Sequence, residues 1–489
     1  EKQMDYNYPD DSYTLHTDAY ELSMMQTYYK KGLANRKAVF EAFFRKMPFE
    51  NGYAVFAGLE HIITYLKNLR FSKTDIDYLK TTGQFDDDFL DYLANFRFQG
   101  TLRSVVEGEL VFNHEPLLQV EGTIMEGTLV ETALLNIINY QIMIATKAAR
   151  IKSIVGDQTV MEFGSRRAQE FDAALWGTRA AYIGGFDSTS NVRAGKLFGI
   201  PISGTHAHAL VQTYRDEYEA FKAYAETHHD CTFLVDTFDT LRSGVPNAIR
   251  VAKEFGDRIN FQGIRIDSGD MAYLSKKARK MLDEAGFKDA KIVCSNGLDE
   301  KTIQNLQMQG AKIDVWGIGT KLITAYDQPT LGAVYKLTLV EDETGKMVNT
   351  MKLSNNVSKM STPGKHQVWR ITDRVDGKSE GDYVTLSGED PRQLDSLYMF
   401  DPNYTFLHKT VKDFVARPLL QDIFVDGQLV YEQPDLETIR ASRATHLDRL
   451  WDEYKRDLNP EVYPVDLSQK CYDNKMAMIQ EIHDYVDKI

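Results

Sequence analysis

The chain predicts an α/β fold centred on an irregular (β/α) TIM-like barrel, and two observations predict it. Between about residues 141 and 330, short apolar stretches are each followed by a helical pattern, and the unit repeats at roughly 20 to 30 residues. Each apolar stretch also ends in small, polar or charged residues. Parallel α/β architectures place their chemistry at these carboxyl ends of strands. Strands joined through helices must run parallel, because a parallel pair needs a crossover connection. Seven strand ends are read in this way, at 160–164, 180–186, 200–204, 232–236, 261–267, 291–296 and 313–319. An open doubly wound sheet is the competing arrangement of the same units.

The flanking regions have a different rhythm. In residues 1–140, Thr17 is placed to cap a helix over 18–31, and 38–45 reads as a strand. Helices follow at 62–69 and 75–80, then a strand pair at 102–112 and 117–124, then a strongly apolar helix at 128–148. This is an α+β layer. Residues 331–489 form a third region of strands plus helices, with strands at 333–340, 347–353, 367–372 and 383–386. Turn signals such as Thr362-Pro363-Gly364-Lys365 separate them. A charged amphipathic helix over 435–458 then presents a solvated face.

Composition narrows the function classes. The 489 residues, 43% hydrophobic and 26% charged, suit a globular chain with room for more than one core. The net charge of −14 argues against non-specific nucleic-acid binding and against an anionic membrane face. No apolar run reaches the roughly 18 residues that span a bilayer. The stretch 1–11 is polar and carries no signal pattern. Cys231, Cys294 and Cys471 are widely spaced and odd in number, which points to a reducing compartment, the cytoplasm.

The strand ends carry the candidate chemistry. The first holds Glu162-Phe163-Gly164-Ser165-Arg166-Arg167, and the second runs from Gly184 to Asn191 with Asp187 inside it. The third holds Gly204-Thr205-His206-Ala207-His208, the fourth Asp236-Thr237-Phe238-Asp239, and the fifth Arg265-Ile266-Asp267-Ser268-Gly269-Asp270. The sixth holds Ser295-Asn296-Gly297 and the seventh Gly317-Ile318-Gly319-Thr320-Lys321. Any one of them also reads as a turn or a helix cap. Together they converge on one mouth. Gly317 to Thr320 offers backbone N–H groups before a helix, which suits a phosphate. Asp236, Asp239, Asp267 and Asp270 can hold Mg²⁺ or ribose hydroxyls. Arg166, Arg167 and Arg265 can clamp a carboxylate or phosphate. The mixture describes a pocket for an anionic sugar phosphate. His206 and His208 lack an obvious third zinc ligand, but a strand-end histidine near carboxylates can act as a nucleophile. Lys321 reads either as a cation near phosphate or as a Schiff-base lysine.

Five stretches in order resemble the nicotinate phosphoribosyltransferase family. They are Thr17-Asp18-Ala19-Tyr20, Glu162 to Ala168, Ser190-Asn191-Val192 followed by Gly204 to His208, Arg265 to Asp270, and Gly317 to Thr320. The resemblance runs from about residue 12 into the third region. It implies an irregular barrel plus an α/β domain formed from the N- and C-terminal regions, working as a homodimer with shared active sites. The implied reaction joins nicotinate to phosphoribosyl pyrophosphate, giving nicotinate mononucleotide and pyrophosphate in NAD biosynthesis. ATP is a co-substrate, hydrolysed through a phosphohistidine, and Mg²⁺ is required. The resemblance places the phosphohistidine at His208 and His206 at a variable position. Phe163 is the aromatic that stacks on the pyridine ring, and Tyr20, from the other subunit, is the opposing aromatic with Asp18 beside it. Arg166 lies at the ring and ribose-phosphate end. Arg265 and Asp267 bind the donor, Gly317, Gly319 and Thr320 cradle phosphate, and Asp236 is a carboxylate near the histidine and Mg²⁺. Ala209 stands where a polar residue often follows the histidine. A nicotinamide-using relative is the nearest rival, and Asp187 is the acid that could favour an amide.

Overall fold

The computed structural model describes residues 13–489; the polar stretch 1–11 of the sequence reading lies outside the described residues. The chain folds as two compact units, one of residues 144–329 and one that combines residues 13–143 with 330–489.

The central unit is built on a six-stranded, wholly parallel sheet curled as a half-barrel. Its strands are β1 (Thr159–Glu162), β2 (Ser188–Thr189), β3 (Asp230–Leu234), β4 (Asn260–Ile266), β5 (Lys291–Ser295) and β6 (Val315–Ile318). They lie in the order β2-β1-β6-β5-β4-β3. Helices connect them, and Phe221, Phe233, Val251, Ile264 and Ile292 pack into one buried cluster. Burial on both faces explains why the strands read as short continuous apolar runs rather than alternating ones.

Two predicted strands are corrected. Residues 180–186 are largely the last turn of the helix Glu170–Ile183, followed by the turn that leads to β2. That helix is buried over most of its second half, from Gly177 to Ile183, so it carries no amphipathic period to separate it from a strand. Residues 200–204 make a single parallel bridge, Ile202 to Thr189. Pro201 has no N–H for a ladder, and its carbonyl accepts from Thr189 N at 3.0 Å.

In the other unit, the two ends of the chain share one antiparallel sheet, the additional domain that the resemblance implies. Ala333–Glu341 pairs with Lys37–Phe44, which pairs with Leu118–Thr123, then Thr101–Ser104 and Gln421–Val425. A second sheet joins Phe414–Pro418, His366–Asp373, Ser379–Leu386 and Val465–Leu467. The helix Ala19–Lys30 starts one residue later than read, with Asp18 rather than Thr17 at its cap position. The Thr17 hydroxyl instead donates to Leu129 O at 3.3 Å. The expected helix over 435–458 is divided into Leu436–Asp448 and Asp452–Lys455, and Leu450 between them is 1% exposed. Burying that leucine turns the chain inward and ends the first helix.

Candidate active site

Glu162, the last residue of β1, organises the first strand end. Its carboxylate is 1% exposed and accepts from the Thr178 hydroxyl at 2.9 Å, the Thr189 hydroxyl at 2.6 Å and the Gly164 N–H. One carboxylate thus ties β1, β2 and the helix Glu170–Ile183 together. Burial pushes its carboxyl above the usual range, and the three donors oppose that shift. Phe163 follows, held by its N–H to Ile318 O at 2.8 Å. Its ring lies against β6 because residue 317 is glycine. A Cβ there would stand 2.7 Å from both Phe163 Cδ2 and Cε2. Gly317 is therefore explained first by the seat it gives Phe163. Gly319 is open, with its nearest neighbour the Phe163 carbonyl at 3.4 Å, and Thr320 begins the short helix Thr320–Ile323.

The ends of β3, β4 and β5 meet around His208. Its Nδ1 lies 2.8 Å from the Thr237 hydroxyl, which leaves Nε2 turned toward Asp236 Oδ1 at 3.7 Å and Asp267 Oδ2 at 3.9 Å. Asp236 is 2% exposed at its side chain. Its Oδ2 accepts from Asp267 N and the Ser268 hydroxyl, while Oδ1 is buried with no donor among the described residues. Asp267 Oδ1 accepts from the Ser295 hydroxyl at 2.7 Å. Arg265 donates from Nη1 to the Thr205 hydroxyl at 3.2 Å and from Nη2 to His206 O at 3.3 Å. Burial lowers the Arg265 pKa and neighbouring Arg166 adds to this, while Asp267 and Asp236 oppose it. A guanidinium remains charged throughout. Arg166 is exposed and makes no ion pair among the described residues. Two carboxylates and an imidazole thus stand near two guanidinium groups, neither of which makes an ion pair among the described residues.

The two histidines separate clearly. His206 Nε2 accepts from Leu234 N at 3.2 Å, and its ring packs at 5.3 Å from Tyr224. Burial pushes its pKa down to about 4, so it is neutral and its nucleophilic nitrogen is used. The four aspartates divide in the same way. Asp239 caps the helix Thr240–Gly244 through Leu241 N and Arg242 N, and Asp270 caps Met271–Glu284 through Tyr273 N. Only Asp236 and Asp267 face His208. Asp187 is committed elsewhere: it accepts from Val160 N at 2.9 Å and lies 3.8 Å from Lys152, at the start of β1 rather than its carboxyl end. Lys321 is engaged by Asp299 at 3.3 Å, so its amine is not presented to a carbonyl as a Schiff-base lysine would be. Asn296 takes a left-handed φ of 82° at the turn after β5. Sequence reasoning passed over Thr205, Thr237, Ser268 and Ser295, although each sits inside a quoted strand-end stretch.

In the unit built from the chain's two ends, Asp18 and Tyr20 open the helix Ala19–Lys30. Asp18 Oδ2 accepts from the Thr132 hydroxyl at 2.8 Å, and the Tyr20 hydroxyl donates to Glu131 Oε2 at 3.1 Å. The Tyr20 ring is nevertheless 52% exposed, so it is tethered at its tip and presented along its face.

The residues fit Mg²⁺ in one particular way. Among the described residues no group of three or more His, Cys, Asp or Glu side chains could hold a metal by itself. The orphaned Asp236 Oδ1 supplies one hard oxygen, which matches an ion held mainly by substrate phosphates and water.

Comparisons with known proteins cover nearly the whole chain. Profiles of the nicotinate phosphoribosyltransferase N-terminal domain, family and C-terminal domain match residues 15–139, 158–373 and 365–475. The chain is 59% identical over 485 residues to a nicotinate phosphoribosyltransferase of Bacillus subtilis, covering 99% of each. It is 34% identical to one of Caenorhabditis elegans, covering 93% of this chain and 91% of that one. The crystal structure of human nicotinic acid phosphoribosyltransferase superposes with a TM-score of 0.83 at 30% identity, over 95% of this chain and 99% of that one. Among the described residues no helix is long and apolar enough to cross a membrane. The chain belongs to the nicotinate phosphoribosyltransferase family and is an enzyme of that class.

Proposed function

We propose that the enzyme moves the phosphoribosyl group of phosphoribosyl pyrophosphate to the ring nitrogen of nicotinate, and drives this transfer with ATP through a phosphohistidine at His208. The bond from the ribose carbon to pyrophosphate breaks with its electron pair on the leaving group, and the nitrogen–carbon bond of nicotinate mononucleotide forms. The observation that carries the reading is the convergence of His208, Asp236, Asp267 and Arg265 at neighbouring strand ends, with Phe163 seated on β6.

Each residue has a role under this reading. Phe163 stacks on the pyridine ring, with Tyr20 of the partner subunit on the opposite face and Asp18 of the partner subunit beside it, in a homodimer. Arg166, free of any ion pair among the described residues, meets the nicotinate carboxylate, so an acid is preferred to an amide. Asp187 is engaged with Val160 N and does not serve as an amide acceptor. Arg265 and Asp267 hold the donor, with Asp267 at the ribose hydroxyls. Gly317, Gly319 and Thr320 line the phosphates. Mg²⁺, when bound with the phosphates, offsets their charge, and Asp236 holds it directly or through water.

His208 Nδ1 lies 2.8 Å from the Thr237 hydroxyl, and the tautomer that donates from Nδ1 leaves the Nε2 lone pair as the nucleophile. Nε2 attacks the γ-phosphorus of ATP as the bond to ADP breaks. Water later cleaves the N–P bond, so ATP and water become ADP and phosphate, and the transfer is pulled forward. The three cysteines are free and buried, in keeping with a cytoplasmic enzyme of NAD biosynthesis and salvage. The test is incubation with ATP radiolabelled at the γ-phosphate. Acid-labile label in the wild type and none in His208→Ala is the expected result. Equal label in both would remove His208 from the role.

A further inference from the structure

Glu21 is a buried carboxyl group of the unit that carries Tyr20. It lies in the first turn of the helix Ala19–Lys30, is 1% exposed, and neither of its oxygens meets a hydrogen-bond donor among the described residues. A carboxylate stripped of both water and donors is strongly disfavoured. Its neighbour is another acid, Glu131, which opens the helix Glu131–Val155 and accepts the Tyr20 hydroxyl at 3.1 Å. The Glu21 and Glu131 carboxyls are within hydrogen-bonding reach of each other. No cation is ion-paired with either among the described residues. Two acceptors in contact repel unless one of them carries a proton.

The remaining groups around the pair relieve it only in part. Asp18 at the cap and Tyr28 in the same helix as Glu21 lie nearby, and Asp18 adds to the negative field. From the strand Ala333–Glu341, Tyr335 spends its hydroxyl on Gly127 O at 2.7 Å. Lys336 of that strand is near Glu131 but lies closer in effect to Arg45 and Lys352. Burial and then Glu131 push the Glu21 carboxyl up to about 9, while the neighbouring Tyr20 hydroxyl pulls the other way.

We infer that Glu21 and Glu131 share one proton at neutral pH, carried by Glu21 and donated to Glu131, and that this pair positions the Tyr20 ring. With the proton in place, Glu131 has oxygens left for Tyr20, and the ring is held by its tip while 52% of the residue stays exposed. When the proton leaves, the two carboxylates separate and the tether moves with them. Glu21 is thus a positioning residue. The consequence for substrate rests on the proposed place of Tyr20 over nicotinate.

The full-length protein, labelled with ¹³C at glutamate δ-carbons and tyrosine rings, tests this by nuclear magnetic resonance across pH. The expected result is one glutamate that titrates well above the ordinary carboxyl range, is missing in Glu21→Gln, and shifts the Tyr20 ring signals as it ionises. The Tyr20 signals are assigned by their loss in Tyr20→Phe. In turnover, the nicotinate KM of the wild type should rise with pH through that titration, roughly 3- to 10-fold, with a smaller change in kcat. Glu21→Gln, whose amide still donates to Glu131, should hold KM flat over the same range, whereas Glu21→Ala should raise KM at every pH. If no glutamate titrates high, or if it titrates without moving the Tyr20 ring, the inference is wrong. If ring and proton move together but Tyr20→Ala leaves the nicotinate KM unchanged, the pair stands and the place of Tyr20 over nicotinate falls.

Discussion

Gly317→Ala should damage nicotinate binding by displacing a neighbour rather than by touching the substrate. The added Cβ would stand 2.7 Å from two carbons of the Phe163 ring. That is about 1 Å inside an ordinary carbon–carbon contact. The Phe163 backbone is held by its N–H to Ile318 O at 2.8 Å, and Ser295 Cβ lies 3.3 Å from the new atom on another side. The ring is the part that can yield. A misplacement of about 1 Å in a clamp on the reacting ring costs on the order of 10- to 100-fold in kcat/KM. That corresponds to about 1.4–3 kcal/mol of lost transition-state stabilisation. Overpacking should cost about 1–3 kcal/mol of stability as well, so the fold should survive. The assay is steady-state turnover at varied nicotinate and varied phosphoribosyl pyrophosphate, beside a urea unfolding curve. The nicotinate KM should rise much more than the donor KM. At Gly319 the nearest atom to an added Cβ is 3.4 Å away, so Gly319→Ala should raise the nicotinate KM less. An unchanged nicotinate KM in Gly317→Ala would refute the claim that this glycine seats Phe163.

Further outcomes follow from the same geometry. Glu162→Gln replaces one acceptor oxygen by a donor against Gly164 N–H and two threonine hydroxyls, and should cost about 1.5–3 kcal/mol in urea unfolding. Asp236→Asn should raise the Mg²⁺ concentration needed for half-maximal turnover, because the orphaned Oδ1 loses its charge or is replaced by nitrogen. An unchanged Mg²⁺ dependence would place the ion elsewhere. His206 is held neutral, with its pKa pushed down to about 4 by burial. An unfolded histidine takes up its proton below about pH 6.5, so this contribution to stability is complete above that pH and is lost as pH falls toward 4. The urea midpoint should therefore drop less over that window in His206→Gln than in the wild type.

The strand ends were legible because parallel strands with helical crossovers announce themselves by rhythm, and five of the seven predicted stretches are strands of the parallel sheet. The stretch 180–186 failed for a definite reason. A helix buried on nearly every side shows the same unbroken apolar run as a central strand, as the buried residues from Gly177 to Ile183 do. The site was legible in its residue types but not in its partition. Asp236, Asp239, Asp267 and Asp270 are equivalent as letters at strand ends. Only the fold shows that Asp239 and Asp270 spend their oxygens on helix N–H groups while the other two face His208. His206 and His208 differ likewise, since Leu234 N occupies one ring and Thr237 orients the other. Glu21 carried no signal at all, because an acidic residue in a helix's first turn is commonplace until its burial beside Glu131 is seen.

The most direct test of the account is mononucleotide formation from phosphoribosyl pyrophosphate and Mg²⁺, with nicotinate or nicotinamide, with and without ATP. The account predicts product from nicotinate, increased by ATP in the wild type but not in His208→Ala, and little product from nicotinamide. Equal product from nicotinamide, or ATP stimulation that survives in His208→Ala, would contradict it.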